Sequence, residues 1–208
     1  MEISEIIEHI DISDFEISGK FEDGKFIKIH EGEPKKPGAR ASVAVDNNKI
    51  IWHTHPTVSK YYPSVEDICK ILKGHPGQEI EYSILFTVYG VWLFSNPIKT
   101  RDVDDRLKAI IDNECNKQFY RASGSGRTYN TDAIQLYIEC LKAGINNFGA
   151  NYNFDIMFYP SLDLEPFLQF LKGLSSRKGG KKHRKPKSKR HRKYTSTRKY
   201  KKTKKRTK

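Results

Sequence analysis

The chain has 208 residues and a formal net charge of +13, a total that conceals two opposed parts. From Arg177 to Lys208 stand 19 Lys and Arg and no acid, so residues 1–176 hold the other 19 basic residues with all 25 acidic ones and carry −6. A body of this length is expected to bury one core; no apolar run approaches the ~20 residues that span a bilayer, and the acidic start MEISEIIEHIDISDFE is unlike a secretory signal, so an intracellular protein is expected.

Ile3, Ile6, Ile7 and Ile10 at helical spacing predict a short helix over residues 2–9. FEISGKF and KFIKIHE follow as strands, with Asp23-Gly24 between them as a hairpin signal. The Pro- and Gly-rich GEPKKPGAR reads as a loop, and ASVAV and KIIWHTH as two further strands. Ser64 then has the character of an N-cap with Asp67 at the third helical position, opening a helix that ends near Lys73 before GHPG. EYSILFTVYGVWLFS reads as two strands bent at Tyr89-Gly90, buried by their apolar content. Helices over about 102–121 and 131–143, a strand NFDIMFYP and a helix LEPFLQFLKGL complete an α+β body over residues 1–174, followed by a Lys/Arg-rich tail over 175–208. The three cysteines, Cys69, Cys115 and Cys140, are widely spaced without a CxxC pair, which indicates neither a disulfide framework nor a cysteine zinc cage.

Chemistry concentrates in His53-Thr54-His55-Pro56 and Pro63-Ser64-Val65-Glu66-Asp67. Histidines at i and i+2 of a strand point to one face, so both imidazoles can reach a single ion. Asp67, in the first turn of the next helix, can bring a carboxylate back to the strand end. Two imidazoles and one carboxylate suit Zn²⁺ and leave a fourth position for water, as catalytic zinc sites require. A carboxylate outside the coordination shell would serve as the base.

These residues resemble the signature of the JAMM (MPN+, JAB) zinc metalloproteases: an upstream Glu, HxHP, a short spacer and SxxD, matched by His53, His55, Pro56, Ser64 and Asp67. One departure is that eight residues separate His55 from Ser64 where the family usually has seven; a loop absorbs the extra residue. The resemblance covers roughly residues 1–100. It implies a curved mixed sheet flanked by helices, with cytidine-deaminase-like layering. It also implies zinc on His53, His55 and Asp67, and Ser64 donating to the developing oxyanion. Glu16, in Glu16-Ile17-Ser18-Gly19, is the preferred match for the upstream glutamate, with Glu22, Glu31 and Glu33 as alternatives.

Ser64 has a simpler explanation as an N-cap. His9, His30 and His75 read as ordinary turn or surface residues, and Tyr61-Tyr62 either lines a groove or packs against the domain. The tail has few apolar residues beyond Tyr194 and Tyr200, so disorder is expected. Its 19 cations suit non-specific, salt-sensitive nucleic-acid binding through residues 177–208, or nuclear import, and exceed what solubility needs.

The function expected is therefore zinc-dependent hydrolysis of an amide or isopeptide bond, removing ubiquitin or a ubiquitin-like modifier, with the tail as a tether to nucleic acid. One alternative is a catalytically inactive scaffold of the same fold associated with nucleic acid; another is a peptidase acting on other peptides.

Overall fold

The central strands are near-continuous apolar runs whose successive side chains point to opposite faces, so the sheet is covered on both sides. The computed structural model describes residues 1–13, 15–32, 48–56, 62–73, 80–97, 103–123, 130–148 and 152–178. Elements run in the order α1 (Ile3–Ile12), β1 (Ile17–Glu22), β2 (Lys25–Glu31), β3 (Ile50–His55), α2 (Val65–Leu72), β4 (Tyr82–Thr87), β5 (Gly90–Ser95) and α3 (Asp105–Ala109). A π-helical segment (Ile110–Asn116), α4 (Lys117–Ala122), α5 (Thr131–Phe148), β6 (Asp155–Pro160) and α6 (Glu165–Lys178) follow. The expected strand ASVAV, Glu33, Tyr61, His75 and the tail beyond Lys178 lie outside the described residues.

The six strands form one mixed sheet in the order β2-β1-β3-β4-β5-β6. Among the described residues only β3 and β4 run parallel, and the other four pairings are antiparallel. A parallel pair cannot be closed by a tight turn, and here α2 lies in the crossover. On one face Ile51, Leu85, Trp92, Phe94 and Ile156 pack with residues of α2, α3, α4 and α5. On the other, Ile50, Trp52, Ile84, Phe86, Val91 and Leu93 pack with Ile6 and Ile10 of α1 and Phe167 and Leu171 of α6.

The β1–β2 hairpin turns at Asp23 (φ 50°) and Gly24 (φ 80°). Two successive left-handed residues are what a two-residue hairpin matched to the strand twist demands. Between Ser18 and Gly19 the register shifts: Ser18 opposes His30 and Gly19 opposes Lys28, so β2 carries an extra residue. The close approach there admits no side chain, because a Cβ on Gly19 would lie 1.8 Å from the Ile27 carbonyl oxygen.

Three expectations are corrected. The expected helix over 102–121 contains the π-helical segment. The helix placed at 131–143 continues to Phe148. Cys115 of the π-helical segment and Cys140 of α5 are joined by a disulfide, with Cα atoms 5.5 Å apart, whereas their spacing of 25 in sequence gave no sign of pairing. Cys69 is a buried free thiol, and burial pushes its pKa up.

Candidate metal centre

His53 and His55 occupy the carboxyl-terminal end of β3, beside the parallel strand β4, and share the face that looks toward α2. Crevices outside the carboxyl ends of parallel strands are favoured ligand sites in open sheets. Asp67 reaches this point because α2 begins there. Ser64 is the N-cap, its Oγ accepting the Asp67 N–H at 3.2 Å, while Asp67 Oδ2 accepts the Ser64 N–H at 2.9 Å and the Ser64 hydroxyl at 2.7 Å. This reciprocal cap holds the carboxylate in one orientation at the positive end of the helix dipole.

The structure brings the three side chains together. Nε2 of His53 lies 3.1 Å from Asp67 Oδ1 and Nε2 of His55 lies 3.4 Å from Asp67 Oδ2. One donor atom from each of the three buried residues falls within 4.8 Å of the others, a group that could hold a metal ion. Donors bound at about 2.0–2.1 Å to a tetrahedral ion stand about 3.3–3.4 Å apart, close to the two imidazole–carboxylate spacings. The buried Nε2 of His53 makes no hydrogen bond, although Asp67 Oδ1 is only 3.1 Å away. Two imidazole nitrogens and a carboxylate oxygen gathered this closely in a buried place fit a divalent cation.

Burial alone would push the Asp67 carboxyl up, but the adjacent His53 and His55 imidazoles oppose it and hold the group well below its ordinary value of 3.8. The site therefore favours the carboxylate, the form that ligates a cation.

Glu16 precedes β1, with its Oε1 4.0 Å from Nε2 of His55. Its side chain is 20% exposed, against 7–8% for His53, His55 and Asp67. The alternatives stand elsewhere: Glu22 is ion-paired to Lys20 at 2.7 Å and Glu31 to Lys28 at 2.5 Å. The Lys28 ammonium lowers the Glu31 carboxyl. Thr54, between the two histidines, faces the opposite layer, where its Oγ1 accepts the Ile17 N–H at 3.0 Å and lies 3.4 Å from the Ile17 carbonyl oxygen. It thus clamps the strand segment that carries Glu16 to the one that carries the histidines.

The Ser64 hydroxyl donates to Asp67, so the structure gives this serine a positioning contact. Tyr62 is buried, with its ring against Phe119, Tyr120 and Tyr137 and its hydroxyl against that of Tyr120, so it packs and does not line a groove. The Tyr137 hydroxyl stands 2.9 Å from Asn116 Oδ1 and 3.2 Å from the carbonyl oxygen of Pro63, which ties α5 and the π-helical segment to the residue before the cap. His9 is engaged locally with Phe15 and Ser13.

Sequence reasoning passed over Ser18, whose fully buried Oγ has no hydrogen-bond partner and which is paired with His53 across β1 and β3. Its signal was alternation: Glu16, just before β1, and Ser18 on it are spaced like His53 and His55 on β3, and Ser18 pairs with His53 once the register is known.

Among the described residues no helix is long and apolar enough to cross a membrane. No protein-family model, curated protein or solved structure matches this chain.

Proposed function

We propose that the chain is a zinc-dependent hydrolase of amide or isopeptide bonds, acting on a ubiquitin-like protein or a peptide. The observation that carries this reading is the buried His53, His55 and Asp67 cluster, with an unbonded imidazole nitrogen and a more exposed carboxylate, Glu16, at its margin.

His53, His55 and Asp67 would hold the ion, which when bound supplies a Lewis acid and water acidified toward neutrality. Asp67 provides the negative charge and is kept in place by the Ser64 cap. Glu16 lies too far from Nε2 of His55, at 4.0 Å, for a short hydrogen bond. Its carboxylate is therefore left to accept a proton from an attacking water and return it to the leaving amine. Ser64 would serve the oxyanion only by releasing Asp67, so its contribution in this reading is to hold the ligand. The Lys/Arg run from Arg177 onward, with 19 cations and no acid, is the proposed tether to nucleic acid.

Glu16→Gln should retain stoichiometric zinc while lowering hydrolysis of diubiquitin or a peptide panel by about 10²–10⁴. Chelator should abolish hydrolysis by the wild type. Full activity in the variant would remove Glu16 from the mechanism, and lack of zinc in wild-type protein purified without chelator would remove the hydrolase reading.

A further inference from the structure

Among the described residues, two buried side-chain atoms lack a hydrogen-bond partner, Nε2 of His53 and Oγ of Ser18. The sheet register makes their residues direct cross-strand partners. Such partners share a face, with Cβ atoms about 4.5–5.5 Å apart. Ser18 is completely shielded from solvent in the structure, where an unpaired hydroxyl is unfavourable and alanine would occupy the same space without that penalty. The coincidence of both orphans at one strand pairing points to a shared missing partner.

We propose that Ser18 belongs to the metal centre: its hydroxyl acquires its partner only when a hydrated divalent cation is held by His53, His55 and Asp67. This rests on the metal-binding part of the function proposed above. The other serine of the site cannot take this place without loss, because the Ser64 hydroxyl already donates to Asp67 Oδ2 at 2.7 Å. β1 and the residue just before it thus set two different polar groups against the two imidazoles, the Glu16 carboxylate 4.0 Å from His55 and the Ser18 hydroxyl opposite His53. The register shift opposite Ser18 and Gly19 puts the extra residue on β2, so β1 keeps its regular pairing with β3 at this position. Ser18 is a positioning residue, since its burial keeps it from a substrate.

The test is Ser18→Ala in the full chain, read by zinc affinity in competition with a chelating dye and by thermal unfolding in excess chelator. Hydrogen-bonding partners outside the coordination shell typically contribute 10–100-fold to metal affinity. The variant should bind zinc 10–100-fold more weakly, yet its metal-free Tm should equal or exceed that of the wild type. Unchanged zinc affinity would overturn the proposal. So would a lower metal-free Tm or a failure to fold, because either would show that the hydroxyl is bonded without metal. If the wild type itself binds no zinc, the metal-centre reading fails first, an outcome distinct from a wild type and variant that bind equally.

Discussion

The two sides of β3 place similar polar groups in opposite circumstances. Toward α1 and α6, the Trp52 Nε1–H donates to the Lys20 carbonyl at 3.0 Å and Thr54 is bonded to Ile17, so the buried polar atoms close on the protein itself. Toward α2, His53 and Ser18 leave theirs open beside a buried carboxylate. One side reads as architecture and the other as a receptor, although both alternate along one six-residue strand. What separates them is whether hydrogen bonding is complete; burial is high on both sides.

The hardest blow to the open side is Asp67→Asn. Removing the anionic ligand should weaken zinc binding by more than the roughly hundredfold that marks the upper range for outer-shell partners, measurable by isothermal titration. The same variant exposes a pH effect in metal-free protein. Because the folded state depresses this carboxyl below 3.8, its contribution to stability is complete above that pH and is lost as pH falls below it. Wild type should therefore lose stability more steeply than Asp67→Asn on acidification below about pH 4, followed by chemical denaturation. Parallel curves would deny the carboxylate its coupling to the two imidazoles.

Much of this site was legible because its parts are local. His53 and His55 need only a strand between them, and the Ser64 and Asp67 cap is written in four consecutive positions. Ser18 was illegible because its meaning depends on pairing with a residue 35 positions later. The strands β3, β4 and β5 were clear from their apolar content and the Tyr89-Gly90 bend. The end of α5 was placed at 143, one residue before Gly144, five residues short of Phe148. In the fold a Cβ on Gly144 would lie 2.8 Å from Ile110 Cγ2, so this glycine allows close helix packing and the helix continues past it. The π-helical segment, closed by i→i+5 bonds inside a longer helical run, is too short for its altered side-chain period to be read from the sequence. The Cys115–Cys140 bond follows from how that segment meets α5, a tertiary fact.

A smaller effect should come from the closed side. Thr54→Val keeps the volume but leaves the buried Ile17 N–H without its 3.0 Å acceptor, which costs about 1–3 kcal/mol. Denaturant titration should show that loss, while zinc remains bound because all three ligands stand on β3 and α2. Hydrolysis should fall further than the folded fraction explains, since Ile17 separates Glu16 from Ser18. Equal losses in stability and activity would mean that Thr54 does not couple the two sides.

The smallest effect, and the most discriminating for the motif, belongs to Ser64→Ala. Loss of an N-cap oxygen typically costs about 1 kcal/mol, and here the Asp67 N–H loses its acceptor while Asp67 Oδ2 loses a 2.7 Å donor. The Ser64 backbone N–H still reaches Oδ2 at 2.9 Å, so the carboxylate stays near the imidazoles and zinc binding should weaken only modestly. If Ser64 acts only as a cap, kcat should decline in step with metal occupancy and recover at saturating zinc. A deficit in kcat that persists at saturation would instead return to Ser64 the oxyanion contact implied by its resemblance to the metalloprotease motif. The receptor side of β3 would then include a hydroxyl that leaves the protein for the substrate during turnover.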